Sequence, residues 1–366
     1  MRASVIENGA PRADKATVRI TVLTWLESEQ ANTYDVVVDQ VVAALEAGGH
    51  QVSIVGVHAD VHKLVDGVQC TRPDLIFNLM EMFDDNLLGD VGVAGLLELL
   101  GVPYTGCGPG EFYLRQDKAL AKKILHYENI AYPRFAVFPK HAGFETGGNL
   151  RMPLFVKPLR GDASIGVDAA SLVSDANGLM RRVLCIHDQV NDAALAEEFI
   201  EGREFYVGIV GNDEPQALPV IEMDFSGLPA GAPRVLDRRA KFDEESVEFK
   251  GTHAVVAQLP DELRARLHKV SLDAYRALRV RDYGRVDLRL SDTGEAYVID
   301  INASCYLEEG GEFAMAAAAG GLDYAALVNR IAELAMERFR RRARPIAAES
   351  ITEDSSRDER DSSPAP

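Results

Sequence analysis

The sequence predicts an α/β protein. An open, mostly parallel sheet comes first, and two further units of mixed helix and strand follow. Three observations carry this. Between residues 18 and 101, short β-branched runs alternate with amphipathic segments that stop at glycine, the order that builds parallel sheets with crossover helices. From about residue 116 to 211, a helix, an apolar strand and a glycine-bearing loop succeed one another. The segment YGRVDLRLSDTGEAYVIDINA (283–303) alternates with period two on both sides of Ser291-Asp292-Thr293-Gly294, which predicts an antiparallel hairpin.

Each element has a local reason. Val18–Trp25 is a β-branched strand. Tyr34, Val38, Val41 and Leu45 fall on one face of a helix that Gly48-Gly49 ends. Gln51–Val57 is the second strand, and Asp74–Leu79 (DLIFNL) is a short apolar run suited to a buried parallel strand. Val91–Leu100 is helical and ends at Gly101. No GxGxxG follows the first strand, which removes the main support for a nicotinamide-binding domain. The next unit holds the helix DKALAKKILHYEN (117–129), the strand PLFVKP (153–158), the loop LRGDASIGV (159–167) and one strand-like stretch, ALAEEFIEGREFYVGIV (194–210). The last unit closes with a helix from Tyr324 to Arg342. The expected organisation is 18–115, 116–211 and 212–342, between disordered tails at 1–17 and at 343–366, where Ser, Pro and acids concentrate.

With 366 residues, 47% hydrophobic and 26% charged, the chain has the balance of a folded protein. A net charge of −18 argues against a partner gripped by its nucleic-acid backbone and against docking on anionic lipid. It leaves room for a small anionic ligand. Residues 18–115 hold 4 basic and 14 acidic residues, whereas 116–342 hold 29 and 35 and are nearly balanced. Cys70, Cys107, Cys185 and Cys305 are widely spaced, suggest neither a zinc ribbon nor a disulfide framework, and fit a reducing cytoplasm. The N-terminus lacks the apolar core of a signal peptide, and no apolar run reaches the ~18 residues of a membrane span.

Three groups of residues can do chemistry. Asp287 on one strand of the predicted hairpin, with Asp300 and Asn302 on the next, places three oxygen donors on one face, which suits a hard cation such as Mg²⁺ holding phosphates. The alternative is a solvated polar face. Against it, these acids interrupt an apolar strand, where burial without a cation is costly. Lys157 ends an apolar strand ahead of a glycine-bearing loop, and Lys118 opens a helix; both suit phosphate. The loop Arg160–Gly166 can cover phosphates with backbone N–H groups, as many two-glycine loops can. Glu197 and Glu204 bracket Phe199 and Ile200, a pattern that fits an apolar purine slot with a ribose-binding carboxylate, or simply an amphipathic strand.

Together and in this order, these segments resemble the ATP-grasp superfamily and, within it, the D-alanine–D-alanine ligases, over about residues 18–342. LLELLGVPYTGCGP (96–109) followed by DKALAKKIL is similar to that family's "LLELLGIPYTG…DK" junction. The resemblance implies an ATP-grasp fold: an N-terminal open parallel-sheet (pre-ATP-grasp) domain, then two α+β ATP-grasp subdomains. It implies that Lys118 and Lys157 contact ATP phosphates under the 160–166 loop, whose Ser164 joins the catalytic set. By the same resemblance, Glu197, Phe199 and Ile200 line the adenine site and Glu204 takes the ribose. Lys241 belongs to a loop over the site, Arg285 stabilises an oxyanion, and Asp287, Asp300 and Asn302 hold magnesium. The implied activity is ATP-dependent carboxylate–amine ligation through an acyl phosphate. ATP and two Mg²⁺ are the implied cofactors, with Mn²⁺ able to replace Mg²⁺. Amino-acid or carboxylate substrates are implied, and a homodimer through the first domain is the family's common state. The alternatives are a same-fold ligase for non-alanine amino acids or peptides, and an ATP-binding protein without turnover.

Three departures from the family pattern stand out. Asp300 occupies a position where the family has Glu. The early GG-x-S-x-E motif is absent; TWLESEQANTYD (24–35) stands there, with Glu27 and Glu29 as substitutes or as surface acids. The family's PGMT segment is replaced by ASCYLEEGGEFAMAAAAGG (303–321), in which Tyr306, Glu308 and Glu309 are larger and charged. If those glutamates face the pocket, a substrate with a cationic group is expected.

Overall fold

The computed structural model describes residues 17–31, 33–86, 88–140, 149–161 and 165–342, apart from the Phe242 side chain. In the first domain, β1 (Arg19–Trp25) lies between β2 (Gln51–Val57) and β3 (Leu75–Leu79), all parallel. The crossover helices are α1 (Val36–Ala47) and α2 (Val61–Thr71), followed by α3 (Gly89–Leu100) and α4 (Pro109–Gln116). Helix α1 begins where the Asp35 carboxylate accepts from the Val37 N–H at 2.9 Å, and it buries Val37, Val38, Val41, Ala44 and Leu45. Tyr34, expected on that face, precedes the helix and is 40% exposed. Helix α2 escaped the sequence reading because it buries only Leu64 and Val68.

The central unit holds α5 (Lys118–Tyr127), β4 (Phe135–Phe138), β5 (Leu154–Pro158), β6 (Leu172–Val173), α6 (Ala176–Gln189) and β7 (Ala194–Glu198). Its strands form an antiparallel sheet in the order β4-β7-β5-β6. Helix α6 packs Leu179, Val183 and Ile186 into the same apolar cluster as Val156 and Ala196 of that sheet.

The C-terminal unit runs β8 (Arg203–Val210), β9 (Gln216–Ala217), β10 (Ile221–Asp224), α7 (Arg238–Phe242), α8 (Val247–Lys250), β11 (His253–Val256), α9 (Asp261–Ala277), β12 (Tyr283–Leu290), β13 (Ala296–Ala303), α10 (Glu312–Ala319) and α11 (Tyr324–Arg342). Its sheet has the order β11-β10-β8-β12-β13, with β9 paired to β8. The predicted hairpin is β12–β13, and its turn is closed by Ser291 N–H donating to the Glu295 carbonyl at 2.9 Å.

One expectation is corrected. The stretch 194–210, read as a single strand of the 116–211 unit, is two strands in two different sheets. The break is at Phe199–Gly202. Gly202 has φ +135°, and a Cβ there would lie 1.9 Å from the Leu290 carbonyl oxygen, so glycine alone fits. By strand pairing β8 belongs with β12 and β10, which moves the change of sheet from residue 211 to 199–202.

The first domain is tied to the last through Asp282. This fully buried carboxylate accepts from Gly106 N–H at 2.8 Å, Asn212 Nδ2 at 3.0 Å and Arg338 Nη2 at 2.7 Å. Arg338 also donates to the Tyr104 carbonyl at 2.9 Å. Apolar packing runs across the same junction: Ile20, Val41 and Phe77 share a cluster with Tyr283, Phe313 and Ile331. Among the described residues, no helix is long and apolar enough to cross a membrane.

Candidate active site

A cavity of 910 Å³ lies where the two antiparallel sheets face each other, with the C-terminal edge of the first domain closing one end. Strand alternation decides what it receives. Along β12, Arg285, Asp287 and Arg289 share a face; across the hairpin, Asp287 pairs in register with Asp300, and Arg285 with Asn302. All five line the cavity.

Asp287 is the hub of this face. Arg285 grips it with Nε at 2.7 Å and Nη2 at 3.0 Å, and Asn302 Nδ2 donates to it at 3.0 Å. Only 7% of Asp287 is exposed. Burial pushes its carboxyl up to about 6 against the pull of Arg285, and neighbouring Asp300 adds to the push. Burial also opposes the Arg285 charge, but Asp287 and Glu312, the latter at 3.3 Å, outweigh it and hold the guanidinium well above its ordinary value. Arg285 lies over the Tyr206 ring at 4.5 Å. A carboxylate that would be relieved by a second cation, beside another carboxylate and an amide oxygen, is a donor set that fits Mg²⁺ or Mn²⁺. Among the described residues, no group of three or more His, Cys, Asp or Glu is placed to hold a metal, so the amide is needed to complete the set.

The opposite wall supplies cations. Lys118, at the first turn of α5, reaches the Gly161 carbonyl with Nζ at 2.6 Å and so sits beside the start of the glycine-bearing loop. Lys157, in β5, is buried and paired with Glu197 at 3.2 Å. Glu197, placed by resemblance at the adenine, also takes Lys122 at 2.9 Å and is 4% exposed. It lines the cavity, but its carboxylate serves two lysines. Ser164 lies outside the described residues. Lys241, in α7, lines the cavity and exerts a lowering pull on the Asp287 carboxyl.

Phe199 and Ile200 form the connection between the two sheets and line the cavity there. Glu204, in β8, accepts from Tyr206 Oη at 2.8 Å and pairs with Arg289 at 3.5 Å, leaving acceptor capacity on both oxygens. Arg289 lies over the Phe199 ring at 4.5 Å. The sequence reading missed Arg289 and Tyr206, although both lie two residues from a named acid on the same strand face. It also missed Arg115, whose contact with the buried Asp90 at 2.6 Å joins α4 to α3.

At the far end, the departures resolve. Glu29 pairs with Lys63 and accepts from Ala59 N–H at 3.1 Å; neither it nor the exposed Glu27 lines the cavity, where Thr24, Trp25 and Asp35 stand instead. Glu308 lines the cavity, whereas Glu309 is exposed and its N–H donates to Gln40 Oε1 at 2.9 Å. Tyr306 Oη donates to Asp35 at 2.8 Å, closing the segment after β13 onto the start of α1.

A family model described as D-ala D-ala ligase C-terminus matches residues 124–333. A D-alanine–D-alanine ligase of Desulforudis audaxviator is 33% identical over 304 residues, which cover 81% of this chain and 92% of that protein. An uncharacterized protein of Sinorhizobium fredii, y4sG, is 30% identical over 311 residues, covering 83% and 88%. The crystal structure of the Bacillus anthracis D-alanine–D-alanine ligase complexed with ATP has a TM-score of 0.72 at 24% identity, covers 89% of this chain and all of that one, and shares the fold.

Proposed function

The chain belongs to the D-alanine–D-alanine ligase family of ATP-grasp proteins, and from that premise we propose that it is an ATP-dependent carboxylate–amine ligase that forms an amide bond through an acyl phosphate. The observation that carries this is one cavity walled by lysines 118, 157 and 241 and by the Asp287, Asp300 and Asn302 face, with Arg285 gripping Asp287 on the same face.

The chemistry follows from the residues. A carboxylate is a poor acyl donor because oxide is a poor leaving group, so its oxygen must first accept a phosphoryl group. Lys118 and Lys157 supply positive charge for the phosphates that move. Phe199 and Ile200 give the purine an apolar slot, and Glu204 has acceptor sites for ribose hydroxyls. Asp287, Asp300 and Asn302 would hold Mg²⁺, which would neutralise phosphate charge that the lysines leave uncompensated. Arg285 is the donor for the oxyanion that forms when an amine attacks the acyl carbon. Lys241 covers the cavity and helps exclude water, which would otherwise hydrolyse the acyl phosphate.

Within this activity, a substrate pair other than two alanines is favoured by the far end of the cavity. Tyr306, tied to Asp35, and Glu308 occupy the wall where the family's small polar segment stands. We place the enzyme in the cytoplasm. The test is ADP release with Mg²⁺ across pairs of amino acids, peptides and small carboxylates. Stimulation by a specific pair, with the condensed amide found by mass spectrometry, supports the proposal. ATP binding with no stimulation by any pair would replace it with a non-catalytic role.

A further inference from the structure

Behind the phosphate wall lies a charge that the mechanism above does not use. Lys122, in α5, is 3% exposed and does not line the cavity. Its Nζ sits 2.9 Å from Glu197 Oε1 and donates to the Ile299 carbonyl of β13 at 3.3 Å. The other oxygen of Glu197 faces Lys157 at 3.2 Å. One carboxylate therefore holds two ammonium groups, one facing the cavity and one sealed behind it. Burial lowers the Lys122 ammonium against the attraction of Glu197. The same burial opposes charge on Lys157 and on Glu197, but Glu197 and Asp300 outweigh it for Lys157, and Lys122 and Lys157 outweigh it for Glu197.

We infer that Lys122 is a positioning residue for nucleotide binding: by neutralising Glu197 from behind, it frees the charge of Lys157 for the phosphates. This rests on the ligase reading of the cavity. Without Lys122, Lys157 and Glu197 form a neutral pair. Turning Lys157 toward a phosphate would then leave Glu197 buried with no counter-charge and close to an anionic ligand. With Lys122 present, the three groups carry one net positive charge, and Glu197 keeps a partner when Lys157 turns outward. The Ile299 carbonyl fixes Lys122 from β13, the strand that also carries Asp300 and Asn302.

The test is a double-variant cycle read as the affinity of the intact protein for ADP with Mg²⁺ by calorimetry, together with circular dichroism to confirm folding. Lys122→Met is expected to weaken ADP binding by about tenfold, the scale of coupling between charges in contact. Glu197→Gln removes the buried acid and supplies the reference background, since Glu197 itself lines the cavity. In the double variant Lys122→Met/Glu197→Gln, Lys157 faces no buried acid at position 197, so binding should lie within about threefold of that of Glu197→Gln. A merely structural Lys122 predicts the same loss of about tenfold in both backgrounds. Unchanged binding in Lys122→Met overturns the inference, and so does a double variant about tenfold weaker than Glu197→Gln. A native chain that binds no ADP overturns the ligase reading itself, and this inference with it.

Discussion

Asp287→Asn is the substitution with the most readable consequence. The side chain is nearly isosteric and keeps one acceptor oxygen, but it removes the charge that Arg285 grips at 2.7 and 3.0 Å. Glu312 at 3.3 Å remains to compensate Arg285, so the loss is smaller than that of an orphaned buried charge. We expect about 2 kcal/mol of destabilisation, a lowering of Tm by roughly 4 °C, and a folded protein. The effect on turnover is larger. Without the carboxylate, the hairpin face retains one acid and two amides, a weak set for a divalent cation. Losing the cation removes about 3 kcal/mol or more of transition-state stabilisation, so kcat for ADP formation should fall at least ~10²-fold. The assay is coupled ADP release over a magnesium titration on the best substrate pair, with the melt recorded beside it. A folded Asp287→Asn protein whose turnover stays within about threefold of native at the same magnesium concentration would remove Asp287 from the proposed metal site.

Three further outcomes are expected. Tyr306→Phe removes the 2.8 Å hydrogen bond to Asp35 while keeping the ring; it should raise KM for the amino substrate several-fold, leave KM for ATP unchanged, and cost no more than about 1 kcal/mol in a thermal melt. Gly202→Ala forces a Cβ against the Leu290 carbonyl at φ +135°, and chemical denaturation should show a loss of about 2–4 kcal/mol or a failure to fold. Burial pushes the Cys107 and Cys305 thiols up to about 12, so both stay protonated at pH 8; a thiol-exchange reagent should titrate exposed Cys70 in the native protein and reach Cys107 and Cys305 only after unfolding.

The parts of this molecule legible in the sequence are those whose information is local. The alternation of Asp287, Asp300 and Asn302 along two strands joined by a short turn fixes a common face by period alone, and β12–β13 has that face. Helix α11, with an apolar stripe through Leu327, Ile331 and Leu334, matches its expected bounds. What was not legible depends on chain crossings. A strand-like pattern through 194–210 hid a change of sheet, because the close approach of the Leu290 carbonyl to Gly202 comes from another strand. Lys122 looked like any surface lysine of an amphipathic helix until α5 was packed against β13 and β7. Likewise, the link from Tyr306 to Asp35 spans 271 positions and has no local signature.

The central claim is that a carboxylate oxygen attacks the γ-phosphorus of ATP before the amine attacks carbon. The direct measurement uses an acyl donor, selected by the ADP-release screen, carrying ¹⁸O in its carboxylate, and mass spectrometry of the phosphate released during amide formation. The account predicts one ¹⁸O transferred to phosphate per amide formed. Unlabelled phosphate accompanying the same amide would contradict it.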